Sequence, residues 1–168
     1  MTAERIYCAI DTTDLGAAVA LAELLSGEVG GVKLGNEFFT AHGPQGVAKI
    51  AATGHKIFLD LKFNDIPNTV AGAVRAAAGL GVHIMTIHAS GGPAMMRAAA
   101  EAARVEDGVR PLILAVTVLT SLDEDDLAAV GQTGPVADQV AHLAGLAKAA
   151  GIDGVVCSPL EIAALKSS

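Results

Sequence analysis

The chain has 168 residues, 52% of them hydrophobic but only 3% aromatic, and a formal net charge of -7. This predicts one soluble domain rich in Ala, Gly, Val and Leu, able to bury a sizeable core. The acidic balance, without a Lys/Arg cluster, excludes a nucleic-acid or anionic-membrane surface, and no apolar run approaches the ~20 residues of a membrane span.

Short β-rich runs alternate with Ala-rich helical stretches. Met1-Thr2-Ala3-Glu4-Arg5 leads into a predicted strand over 5–11, without the basic flank and apolar stretch of an export signal. A helix is predicted over 15–25, a strand over 31–34, a helix over 37–53 and a strand over 56–61. Next come a helix over 68–78, a strand over 82–87, a helix over 93–105 and a strand over 112–118. A short helical piece over 123–130, a helix over 136–149, a strand over 154–157 and a helix starting at Pro159 complete the chain. Cys8 and Cys157 fall in the first and last strands with nothing to mark a disulfide or metal pair, so buried thiols and a cytoplasmic location are expected.

Near-continuously apolar strands separated by helices imply a parallel sheet, either doubly wound or a (β/α) barrel. The first turn, Ile10-Asp11-Thr12-Thr13-Asp14-Leu15, lacks the Gly-x-Gly-x-x-Gly loop of a dinucleotide-binding sheet. Polar residues stand at the strand ends: Asp11, Lys33, Asp60 and Lys62, with His88, Thr117 and Thr120 at or after strands 4 and 5. In a barrel all of these converge on the face that carries active sites.

The segment Asp60-Leu61-Lys62-Phe63-Asn64-Asp65-Ile66-Pro67-Asn68-Thr69 concentrates charge. Strand alternation predicts Asp60 and Lys62 on one face, with Asp65 following around a turn. Neighbouring strands are about 4.8 Å apart, so Lys33 can reach both Asp60 and Asp11, forming an alternating row of charges. Such a row either staples the strand ends together or serves a reaction that changes the charge of a bound substrate.

This segment resembles the signature of the orotidine 5'-phosphate decarboxylase family. Further matches are Ala9-Ile10-Asp11, Val32-Lys33-Leu34-Gly35 with Phe38-Phe39, Thr86-Ile87-His88-Ala89, the run from Leu114 to Ser121, and Gly154-Val155-Val156-Cys157-Ser158. The resemblance implies a (β/α)8 TIM barrel, of which this chain carries about six βα units in a single domain over 1–168. Strands 7 and 8, whose loops supply a phosphate-gripping Gln and Arg in the family, lie outside the sequence. As written, the chain is therefore expected to be a poor enzyme with exposed edges at its first and last strands.

The resemblance further implies decarboxylation of orotidine 5'-phosphate to UMP, in pyrimidine biosynthesis, with no metal or organic cofactor. Lys62, Asp60, Asp65 and Lys33 form the implied catalytic set. Lys62 would stabilise and protonate the carbanion at C6, and Asp60 would sit against the substrate carboxylate, held by Lys33 and Lys62. Asp65, with Ile66 and Thr69, would come from the second subunit of a homodimer with shared sites. Asp11 and Lys33 would meet the ribose hydroxyls and Thr120 the pyrimidine edge, while Leu61, Phe63, Asn64, Pro67 and Asn68 complete the substrate-binding segment. These roles accord with the rule that rate comes from interactions stronger in the transition state than in the ground state.

The remaining polar features have simpler readings. His42, His55, His83 and His142 lack metal-ligand spacing, and His88 is expected to make a structural hydrogen bond. Asp123-Glu124-Asp125-Asp126 suits a helix start, and Gly91-Gly92-Pro93 and Gly131-Gln132-Thr133-Gly134 suit turns. Two alternatives are carried. One is a Mg2+-dependent sugar-phosphate decarboxylase or aldolase, which would have an acid where Lys33 stands; the other is a non-catalytic dimerisation module.

Overall fold

The computed structural model describes residues 3–104 and 110–167. Strands β1 (Tyr7–Ala9), β2 (Gly31–Gly35), β3 (Ile57–Phe63), β4 (Ile84–His88), β5 (Leu112–Val116) and β6 (Gly154–Val156) alternate with helices. The helices are α1 (Leu15–Leu24), α2 (Asn36–Ala51), α3 (Pro67–Ala78), α4 (Gly92–Ala102), α5 (Glu124–Ala129), α6 (Val136–Ala149) and α7 (Ile162–Ser167). All the elements expected from the sequence are present, with shifted ends. Position 105 of the helix predicted over 93–105 lies outside the described residues.

The six strands form one sheet in the order β1-β2-β3-β4-β5-β6. β1 with β2, β2 with β3, and β5 with β6 pair in parallel. A doubly wound sheet reverses direction at a switch point, whereas this order steps the same way at every crossover. Strands that follow one another in chain order are the arrangement of a (β/α)8 barrel. Among the described residues, no helix is long and apolar enough to cross a membrane.

The described residues group into two compact units, each drawn from separate stretches of chain. The first comprises those within Met1–Leu61, Arg75–Met85 and Val105–Leu112. Ile10, just after β1, is fully buried with Val32, Leu34, Ile57 and Leu59 of β2 and β3, and α2, which packs on β2, contributes Phe38, Val47 and Ile50. His55 Nε2 lies 2.7 Å from the carbonyl oxygen of Ala22 in α1. His83 exchanges bonds with Ile57, its N–H donating to the Ile57 carbonyl at 2.8 Å and its Nδ1 accepting the Ile57 N–H at 3.4 Å. Both histidines are thus structural, as expected.

The second unit comprises the described residues within Lys62–Val74, Thr86–Arg104 and Ile113–Ser168. Its core includes Ile87, Met95, Met96, Ile113, Ala115 and Leu143, with α4 packed on α6 and α6 on β6. The acidic run begins α5 as a capping box: the Asp126 N–H donates to Asp123 Oδ1 at 3.0 Å and the Asp123 N–H to Asp126 Oδ2 at 3.2 Å. This is the helix-start role expected of it.

The differences in element ends have local causes. Residues Ala3–Arg5 form a 3-10 turn, which shortens β1, and Ile10 donates the last bond toward β2, to the Lys33 carbonyl at 2.9 Å. The helix predicted over 37–53 is kinked at Gly43, whose φ of 57° and ψ of -159° are non-helical, immediately before Pro44. Proline cannot donate to the preceding turn and disfavours helical backbone in the residue before it, and glycine tolerates the positive φ. Cys8 and Cys157 are free but half-buried rather than buried, because they lie on the sheet's terminal strand β1 and just after β6, at its other end.

Phe38 is fully buried, packs edge-on against His42 at a ring separation of 5.0 Å, and is inaccessible to solvent. Phe38→Ala is expected to destabilise the chain by about 3–5 kcal/mol, read as a lower urea midpoint at unchanged slope.

Candidate active site

The charged row is built by strand register. In β2, Val32 and Leu34 are fully buried while Lys33 between them is partly exposed, so Lys33 projects from the opposite face. Lys33 pairs with Ala9 of β1 and Phe58 of β3, and Gly35 pairs with Asp60. Two residues further along these strands, the layer above Lys33 therefore holds Asp11, Gly35 and Asp60. Gly35 offers no side chain to that layer, and the Lys33 ammonium extends into the vacant position. A Cβ on Gly35 would stand 3.8 Å from Lys33 Nζ and 3.6 Å from Asp11 Oδ1.

Lys33 Nζ lies 3.9 Å from Asp11 Oδ1 and 3.7 Å from Asp60 Oδ2, the row expected from strand spacing. The side chain of Asp60 is only 14% exposed, against 58% for Asp11 and 26% for Lys33. Partly exposed pairs at such distances contribute about 0–1 kcal/mol, so the row does little to hold the strands together. It does place one sheltered and one solvated carboxylate on either side of an ammonium.

Beyond Asp60 the pleat changes. Ile57 and Leu59 are buried and Phe58 and Asp60 partly exposed, but Leu61, Lys62 and Phe63 are all partly exposed although β3 continues through them. Lys62 stands in the middle of this stretch. Its φ is 52°, the one positive φ at a non-glycine among the described residues. Left-handed backbone costs an ordinary residue roughly 1–2 kcal/mol. Such backbone departs from the extended geometry on which strict alternation rests. The Lys62 N–H donates to Thr86 Oγ1 at 2.9 Å, and Thr86 on β4 is fully buried.

The segment that follows is open to solvent: Asn64, Asp65, Ile66, Pro67, Asn68 and Thr69 are exposed, Ile66 at 67%. Asp65 Oδ1 accepts the Ile66 N–H at 2.6 Å, Pro67 begins α3, and the Ile66 carbonyl accepts from Thr69 and Val70. Asn64 lies against Gly91, where an added Cβ would stand 2.9 Å from Asn64 Oδ1 and closer still to Met95. The Gly91-Gly92-Pro93 turn therefore has a packing role that turn chemistry did not reveal. Thr86, which the sequence offers only within the Thr86-Ile87-His88-Ala89 match and as a hydroxyl amid the apolar run of residues 82–87, has a bonding role that neither signal revealed.

Strand 5 and its loop are less involved. Thr117 is buried and ties β5 to β6, its Oγ1 donating to the Val156 carbonyl at 3.2 Å, while Thr120 is exposed. His88, Ser90, Thr117 and Gln132 contribute to the lining of a cavity of about 110 Å³, too small for a nucleotide. Among the described residues, no group of three or more His, Cys, Asp or Glu could hold a metal ion.

Residues 4–168 match the family described as orotidine 5'-phosphate decarboxylase / HUMPS. The chain belongs to this family. It is 52% identical over 166 residues to the orotidine 5'-phosphate decarboxylase of Paramagnetospirillum magneticum, covering 96% of this chain and 71% of that one. It is 52% identical over 172 residues to that of Rhodospirillum rubrum, covering 99% and 70%. Among solved structures, orotidine 5'-phosphate decarboxylase from Lactobacillus acidophilus superposes with a TM-score of 0.86 at 38% identity, covering 97% of this chain and 75% of that one. An uncharacterized conserved protein from Geobacillus kaustophilus gives a TM-score of 0.89 at 39% identity, covering 96% and 77%.

For this member of the orotidine 5'-phosphate decarboxylase / HUMPS family, the thiol of Cys157 is no candidate nucleophile. Burial first, and then the nearby charge of Glu161, raise its pKa, so it stays protonated at neutral pH.

The gap at Gly35 can be tested by size. Its φ of -95° suits any residue, and a Cβ would make ordinary contacts. Gly35→Ala is therefore expected to leave the row in place, whereas Gly35→Val should push Lys33 Nζ beyond 4 Å from Asp11 in a crystal structure. Because the pair contributes so little, the urea midpoint should fall by no more than about 1 kcal/mol equivalent.

Proposed function

We propose that this chain catalyses the cofactor-independent decarboxylation of orotidine 5'-phosphate to UMP. The observation that carries this reading is the Asp11–Lys33–Asp60 row, found in a chain about half identical to enzymes bearing that name. The same row argues against the Mg2+-dependent alternative, because an ammonium occupies the place on strand 2 where that chemistry calls for an acid.

In the reaction, the bond between C6 of the pyrimidine and its carboxylate breaks, CO2 leaves, and the electron pair stays on C6. The Lys62 ammonium stabilises that carbanion and then gives it a proton, recovering one from solvent afterwards. Asp60 stands beside the departing carboxylate. Two negative groups repel more strongly where water is scarce, and the shelter of Asp60 preserves that repulsion in the bound state. It is relieved as CO2 becomes neutral, so the transition state gains relative to the ground state. Lys33 holds Asp60 in place and, with Asp11, meets the ribose hydroxyls. Thr120 meets the edge of the pyrimidine, and Leu61, Phe63, Asn64, Pro67 and Asn68 frame the substrate.

Asp65, Ile66 and Thr69 act in the site of a second subunit. Supporting this is their exposure, which includes a large apolar side chain at Ile66 beside the charge of Asp65. The working enzyme is then a homodimer of single-barrel subunits, acting in the cytoplasm.

Lys62→Ala is expected to lower UMP formation by at least about 10²–10⁴-fold, the usual contribution of a positioned acid, with the urea midpoint little changed. Turnover near the parental rate would overturn the assignment. The same assay should be indifferent to EDTA, whereas activity lost to chelation and restored by Mg2+ would favour the sugar-phosphate reading.

Sharing of the site has its own test. Inactive Lys62→Ala and inactive Asp65→Ala subunits, once exchanged, form mixed dimers with one doubly damaged site and one intact site, so activity should return. No recovery after verified exchange would assign Asp65 to its own subunit's site.

A further inference from the structure

The proton donor proposed above stands in an unfavourable backbone conformation with a single buried hydroxyl at its N–H. We infer that Thr86 is a positioning residue for the reaction: its hydroxyl holds Lys62 in the left-handed conformation that aims the ammonium at the reacting carbon. The inference rests on the proposed role of Lys62.

Thr86 lies between Met85 and Ile87 in β4, and all three are fully buried. In such a setting valine would fill the same volume, so a hydroxyl adds only its capacity for hydrogen bonds. A buried hydroxyl is unfavourable unless it is bonded. Here it accepts the Lys62 N–H at 2.9 Å, across a separation of 24 residues. In a regular parallel ladder a strand N–H donates to a main-chain carbonyl, and extended backbone follows. A side-chain acceptor at this point permits a different backbone at Lys62, and the observed φ of 52° is that departure.

The direction of the Cα–Cβ bond follows from φ and ψ. If Lys62 relaxed to extended backbone, its side chain would rejoin the alternation of β3 and leave from a different angle. A proton donor tolerates little misplacement, an error near 1 Å being able to lower the rate by about 10²-fold.

Thr86→Val removes the acceptor and keeps the shape, and Thr86→Ser restores the acceptor while losing a methyl group. The expected result is a kcat about 10²-fold lower for Thr86→Val with KM within about threefold of the parent, and recovery of most of that loss in Thr86→Ser. Crystal structures should show φ at position 62 negative in the valine variant and positive in the serine variant. Should the valine variant not fold, Thr86→Cys, a weaker acceptor of similar size, takes its place and is expected to fall between serine and parent on one side and inactivity on the other. A positive φ at 62 in a variant without the acceptor, or a parental kcat in that variant despite a changed φ, would overturn the inference. Equal kcat for Thr86→Ser and Thr86→Cys would do the same. A parent that does not decarboxylate orotidine 5'-phosphate would instead be a failure of the functional reading, and the φ comparison would still decide what holds Lys62.

Discussion

The parallel register of β1, β2 and β3 is the constraint from which the proposed chemistry follows. By pairing Lys33 with Ala9 and Phe58, it puts Asp11 and Asp60 one layer further along the strands, with Gly35 between them. An ammonium on a four-carbon stem spans that one-layer offset, and a glycine leaves it somewhere to go. Shifting β2 by a single residue would turn Lys33 into the buried face and drive Val32 and Leu34 out of it. The apolar residues at those two positions, both inaccessible to solvent, are what prevent that slip.

Strain is concentrated at one residue. Left-handed backbone at a non-glycine persists where surrounding structure imposes it, and such positions gather at functional sites. Lys62 is the single case among the described residues, and it is also the residue to which the proposed chemistry assigns the proton. The groups next to it in sequence are arranged oppositely. Asp60 is sheltered and belongs to the regular part of β3, whereas Asp65 and Ile66 are exposed at the start of α3. Ten consecutive residues thus pass from a strand, through a left-handed residue, to a segment open to solvent.

The chain spans about 70% of the length of the curated relatives it matches. Within that span lie all the groups assigned to the charge transfer itself. Positioning of remote parts of a substrate contributes to catalysis separately from the groups that touch the reacting atoms. The two contributions can therefore reside on different stretches of a barrel, and the proposed roles of the second kind fall on the βα units described here.

Much of this architecture follows from local pattern. Short, near-continuously apolar runs between Ala-rich helical stretches locate all six strands, the missing glycine-rich loop removes the dinucleotide-binding sheet, and strand spacing alone brings Lys33 within reach of Asp11 and Asp60. The acidic run at Asp123 is readable as a helix start because its capping bonds join residues three apart. What the tertiary structure decided involves partners distant in sequence. The φ of Lys62 goes with a hydroxyl 24 residues away, and Asn64 joins the nearby Met95 in crowding the space beside Gly91. Thr117, polar and at a strand end, resembled a site residue until its bond to Val156 showed it joining two strands. Periodicity reports which face a side chain prefers, because burial repeats with the backbone. It is silent on which distant atom will meet a given group, as the Thr86 hydroxyl meets the Lys62 N–H.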